Sequence, residues 1–134
     1  MTLARNLLLT LTLLGWPLLS CPHDAVAAED AQAANAAEAR TLTTAEAKKW
    51  QFRLEGGAPL ELEPNALLRW SNPIVGELYG NVFVWTSRGR PEVIGCVYKW
   101  YAPFTHMSAE LHSLSQRPMT GSRAGQPVWF PSRA

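Results

Sequence analysis

Charge is scarce in this sequence, and neither sign dominates. Its 134 residues carry 12 basic and 11 acidic side chains, 17% of the chain, for a net charge of +1. A chain so balanced has no basic stripe with which to grip phosphates, so its charge marks neither nucleic acid nor an acidic membrane surface as a partner. Cysteine is scarcer still, with only Cys21 and Cys96. If the first is removed or acylated, Cys96 has no partner and no internal disulfide supports the fold. Long apolar runs are also missing. The longest, Asn6 to Leu19, is about 14 residues, short of the roughly 20 that span a bilayer as a helix. The length allows one domain and leaves no room for a large two-domain enzyme.

What is present begins with an address. Arg5 and the terminal amine form a short cationic start, Asn6–Leu19 is an apolar core, and Ala25-Val26-Ala27 fits a small-x-small cleavage pattern. Residues 1–28 therefore read as an export signal. Leu18-Leu19-Ser20-Cys21 offers a second reading, a lipoprotein signal ending before a lipid-carrying Cys21. Acyl chains there would anchor the protein without any spanning helix. In both readings the protein is exported: periplasmic, extracellular or lipid-anchored at the cell envelope. Its only membrane contact is the signal or the lipid.

Residues 29–42 are Ala-rich and lack a large apolar residue before Leu42. They have helix propensity and nothing to bury, so they read as a flexible tether. Thr43 or Thr44, with Glu46 following, looks like the N-terminal cap of a short helix. From there the pattern is that of strands. Trp50 to Glu55 and Leu60 to Glu63 alternate apolar with polar across a Gly-Gly-Ala-Pro break, which predicts a hairpin. Further strands are expected at Leu67–Trp70, Val75–Trp85, Glu92–Tyr101, His106–Ser115 and Gln126–Phe130. Glu92–Tyr101 is apolar on both faces, as a central strand is. Six tryptophans, ten prolines and nine glycines suit a turn-rich aromatic body. Residues 43–134 are thus expected to form a single β-rich domain. Its architecture is an antiparallel sheet, a small sandwich or partial barrel, with a short N-terminal helix. The apolar strand Val128-Trp129-Phe130 lies close to the last residue with nothing after it to cover it. That arrangement predicts a C-terminally truncated domain, whose exposed sheet edge or apolar patch would also favour self-association through this strand.

The strings Arg69-Trp70-Ser71-Asn72-Pro73, Gly80-Asn81-Val82-Phe83-Val84-Trp85-Thr86 and Gly89-Arg90-Pro91-Glu92 stand out as unusual in combination. So do Tyr98-Lys99-Trp100-Tyr101, Pro103-Phe104-Thr105-His106 and Glu110-Leu111-His112-Ser113-Leu114-Ser115. Over residues 50–131 the chain resembles an exported protein family of planctomycete bacteria. Its members are uncharacterised, so the resemblance implies an address and a lineage, and no activity. Its members run past the point where this chain ends, which again implies truncation.

Chemistry is thinly supplied. His106, Glu110 and His112 fall at even positions of one expected strand and share a face with Ser108. They are the candidates for a metal site, and Glu110 with His112 for an acid/base pair of a small extracellular hydrolase or metal-binding domain. A solvated polar strand face explains the same residues. The sequence contains no nucleophile elbow, phosphate loop, dinucleotide-binding glycine pattern or His-Glu-x-x-His helix, and nothing calls for a cofactor. Arg88 and Arg90 flank a turn, as solvated turn residues or as a clamp for phosphate or carboxylate. Cys96, in an apolar run, reads as an inert buried thiol. Trp85 and Trp100, among many aromatic rings, are candidates for stacking on an envelope glycan, peptide or protein partner. The favoured function is a non-catalytic exported binding module, with the hydrolase or metal domain as the alternative.

Overall fold

A computed structural model describes residues 23–131, so the apolar leader core and Cys21 lie outside the described residues. The elements are one helix, α1 (His23–Ala47), followed by β1 (Trp50–Leu54), β2 (Glu61–Leu62), β3 (Leu68–Ser71) and β4 (Glu77–Ser87). After these come β5 (Arg90–Ala102), β6 (His106–Ser113), β7 (Met119–Arg123) and β8 (Gln126–Trp129). The fold is mainly β with antiparallel sheets, as expected. Five strands form one sheet in the order β2-β4-β5-β6, with β3 also paired to β4; β1, β7 and β8 form a second. Neither sheet closes into a barrel.

The registers decide which side chains share a face. Gly80 lies opposite Tyr98 and Trp70 opposite Gly80. Cys96 lies opposite Glu110, and Trp100 opposite His106. Every such pair joins even to even or odd to odd, so along the middle of the large sheet one face carries even numbers and the other odd. The odd face is the inner one. Phe83, Trp85, Val93 and Val97 project from it onto Phe52, Leu54 and Met119 of the small sheet. Phe52 meets Trp85 edge-on at 4.8 Å and Trp129 edge-on at 5.4 Å. Without cross-links, these large rings supply the apolar burial that offsets chain entropy.

The helix covers the rest of the inner face. Ala39, Thr43 and Ala47 are buried along one stripe, spaced four apart as one helix face requires. Small side chains there bring the helix backbone close to β4 and β5. Polar links secure it. Asn81 Nδ2 donates to Thr43 Oγ1 at 2.6 Å, Asn35 Nδ2 to Glu77 Oε1 at 2.7 Å, and Tyr101 O–H to Glu38 Oε2 at 2.8 Å.

Several expectations are corrected here. The stretch 29–42 is helical, and from Asn35 onward it is tied to the sheet by polar side chains. A search for large apolar residues does not detect such contacts. Thr43 is in the last turns of the helix and caps no start; its hydroxyl donates back to Ala39 O at 2.7 Å. Glu46, expected in a capping box, instead pairs with Arg123 of β7 and with Lys49. The expected hairpin between residues 50–55 and 60–63 is replaced by long-range pairings. β1 pairs with β7 and β2 with β4, leaving one bridge between Arg53 and Pro59. β5 is central, between β4 and β6, as its two apolar faces predict.

Candidate functional site

Both covering layers, the helix and the small sheet, pack on the odd face. The even face of the five-stranded sheet is covered by neither layer and is open in part, although Leu78 and Val84 on it are buried. Leu68 is 57% exposed there, and Trp70, Val82, Ile94, Tyr98 and Trp100 are each partly exposed. This side of the molecule gathers apolar and aromatic groups without a partner.

Its rings lie against the sheet. A Cβ built on Gly80 would come within 2.3 Å of the Trp70 indole, so only bare backbone lets that ring lie flat over β4. Trp70 Nε1 donates to Cys96 Sγ at 3.3 Å, and its ring centre is 5.9 Å from that of Tyr98 at a 54° tilt. Tyr98 O–H donates to Glu110 Oε1 at 2.7 Å. Trp100 stacks nearly parallel on His106, centres 5.5 Å apart. A row of rings results, with carboxylate and hydroxyl groups on its β6 side.

The electrostatics follow from these contacts. The Tyr98 phenol is held above its usual pKa, first by its hydrogen bond to the Glu110 carboxylate and then by burial. Burial pushes the Cys96 thiol up, opposed by the Trp70 N–H. Cys96 is therefore a protonated, weakly nucleophilic thiol at neutral pH. It is only partly buried, since it lies on the open face and not in the core.

The residues singled out from sequence fare differently. His106, Glu110 and His112 do share the even face of β6, as their spacing predicts. They are not gathered around one point: His106 stacks on Trp100, Glu110 accepts from Tyr98, and His112 lies opposite Ile94. Among the described residues, no group of three His, Cys, Asp or Glu side chains could hold a metal ion. Trp85 is a correction. It is 1% exposed, inside the core, and cannot stack on a ligand. Trp100 is on the open face. Arg88 and Arg90 do not act together. Arg90 Nε is 3.6 Å from Glu92 Oε1, whereas Arg88 lines a separate cleft of about 350 Å³ with Arg117 and the Gly56-Gly57 turn. Trp70 and Tyr98 belong to the ring row and were not singled out by sequence. Parity against the β4–β5 register is the signal that would have found them.

No family model matches the chain, no curated protein is similar to it, and no solved structure matches its fold.

Proposed function

We propose that this protein is an exported, non-catalytic binding module of the cell envelope or exterior. In this reading its open aromatic sheet face takes a glycan. The observation that carries it is the row Trp70, Tyr98 and Trp100, partly exposed on a sheet face that neither the helix nor the small sheet covers. Flat rings offer a saccharide apolar stacking surface at little conformational cost. Glu110 and Ser108 beside them would accept or donate hydrogen bonds to its hydroxyls. Export, the lipid-anchored alternative and kinship with the planctomycete family rest on the N-terminal residues and the quoted strings.

The test is titration of soluble glucose and N-acetylglucosamine oligomers into the purified protein, followed by calorimetry. Saturable binding is expected, weakened at least tenfold by Trp70→Ala or Trp100→Ala and unchanged by His112→Ala. Stoichiometric zinc or copper in the purified protein, or loss of a hydrolytic activity on His112→Ala, would replace this reading with the enzymatic one.

A further inference from the structure

The geometry points to one end of the large sheet as a membrane-contacting surface, and we propose that a lipid bilayer is its occupant. Two loops form this end. The β3–β4 loop carries Ile74, 92% exposed, and Val75; the β5–β6 loop carries Phe104, 74% exposed. Pairing of Glu77 with Ala102 places both loops at the same end. They touch: a Cβ on Gly76 would sit 2.4 Å from Ala102 O. Three large apolar side chains are thus held out from adjoining loop tips, where a soluble surface would normally carry polar residues.

The direction of α1 identifies what faces them. Thr43 bonds to Asn81, in the middle of β4, and Asn35 bonds to Glu77 at its beginning. Toward its N-terminus the helix therefore runs to the loop end. Ala28, Glu29 and Ala31 of the helix line a cleft with Pro73 and Gly76 of the β3–β4 loop. The chain that enters α1 here is the segment holding the apolar run Asn6–Leu19 and Cys21. In the lipid-anchored reading, or while the leader is still attached, the hydrophobic anchor would join the body on the side of Ile74 and Phe104. Just behind the tips, Tyr79 and Tyr101 meet edge-on at 6.0 Å, with Lys99 Nζ 5.2 Å from the centre of the Tyr101 ring. Amphipathic rings and a lysine at this depth match the headgroup layer. Of the acidic groups nearby, Glu77 accepts from Asn35 and Tyr79 and Glu38 from Tyr101, while Glu29 and Asp30 of the first α1 turns are exposed to solvent. One lipid anchor gives only marginal attachment, and a second contact makes it firm. The loop tips supply that second contact.

Hydrogen–deuterium exchange of the full chain tests this, with and without phosphatidylethanolamine–phosphatidylglycerol vesicles. Vesicles should slow exchange several-fold in residues 72–76 and 103–105. They should leave the Arg88-Gly89 hairpin, at the opposite end of the sheet, unchanged. The double variant Ile74→Ser/Phe104→Ser removes only exposed side chains, so it should melt as the parent does and lose the loop protection. Equal exchange with and without vesicles overturns the proposal, as does equal protection at Arg88-Gly89. Loop protection that appears without lipid as protein concentration rises would assign the surface to a second copy of the chain instead. Glycan titration of the same protein is a separate readout, so this inference and the proposed function can fail independently.

Discussion

Trp70 reaches from β3 across the whole width of β4 to hydrogen-bond the thiol of Cys96 on β5, 3.3 Å away. It can do so only because Gly80 on the intervening strand has no side chain. A methyl group at that position must push the indole off the sheet. Gly80→Ala is therefore expected to destabilise the protein by about 1–3 kcal/mol, the usual range for forced overpacking. It should also expose Cys96. Urea denaturation measures the first effect, and the rate of thiol alkylation at fixed pH measures the second. Unchanged alkylation would mean that Trp70 does not shield the thiol.

Trp85 and Trp100 make a contrasting pair. Trp85→Ala empties the centre of the core against Phe52 and is expected to cost about 3–5 kcal/mol. Trp100→Ala removes a half-exposed ring stacked on His106 and should cost about 1 kcal/mol. Thermal melts of the two variants check the difference. Similar losses would place Trp100 in the core as well.

Thr43→Val keeps the shape of a buried side chain and deletes its hydroxyl. The Asn81 Nδ2 donor would be left unpaired beside an Oδ1 that already lacks a partner. A loss of about 1–3 kcal/mol is expected. The helix should also become easier to cleave by limited proteolysis, because this bond fixes it to β4. Protease resistance equal to the parent's would show that the other α1 contacts, Asn35, Glu38, the Glu46–Arg123 pair and the buried alanines, hold the helix without this bond.

Acid should loosen the joint between α1 and β7. Arg123, by its hydrogen bond, holds the buried Glu46 carboxylate below its ordinary pKa, with Lys49 assisting. The folded pKa lies below the unfolded one, so this contribution is complete above the ordinary glutamate value of about 4.3 and is lost as pH falls through the depressed value. Stability measured against pH should fall on the acid side, and Arg123→Gln should flatten that part of the curve. An unchanged acid limb in the variant would show that the pair contributes nothing.

Much of the large sheet was legible because its strands alternate clearly: β5 and β6 lie where Glu92–Tyr101 and His106–Ser115 predict them, β5 running from Arg90 to Ala102 and β6 ending at Ser113. The small sheet was not. β7, Met-Thr-Gly-Ser-Arg, has few large side chains because Gly121 must make room for Phe52 and Trp129. Its pairing with β1 is set by contacts far apart in sequence, whereas the local Gly-Gly turn points to a hairpin. The helix was misread as a tether because its buried face consists of alanine and threonine. At the site, the 15-residue spacing of Trp70, Trp85 and Trp100 hid the distinction that matters. An odd spacing between strands paired in even registers turns successive tryptophans to opposite faces. Trp85 is therefore buried while its two counterparts are open.

The pairing of β1 with β7 also bears on how the chain is born. Phe52 finds its partner strand at Gly121, about seventy residues later, so the small sheet cannot close while the ribosome still holds the C-terminal third. Contacts of such separation are slow to form. For a chain proposed to leave the cell through a secretion channel, that delay is useful. The small sheet stays unpaired until translation is nearly complete, and the two sheets can close on each other only after that.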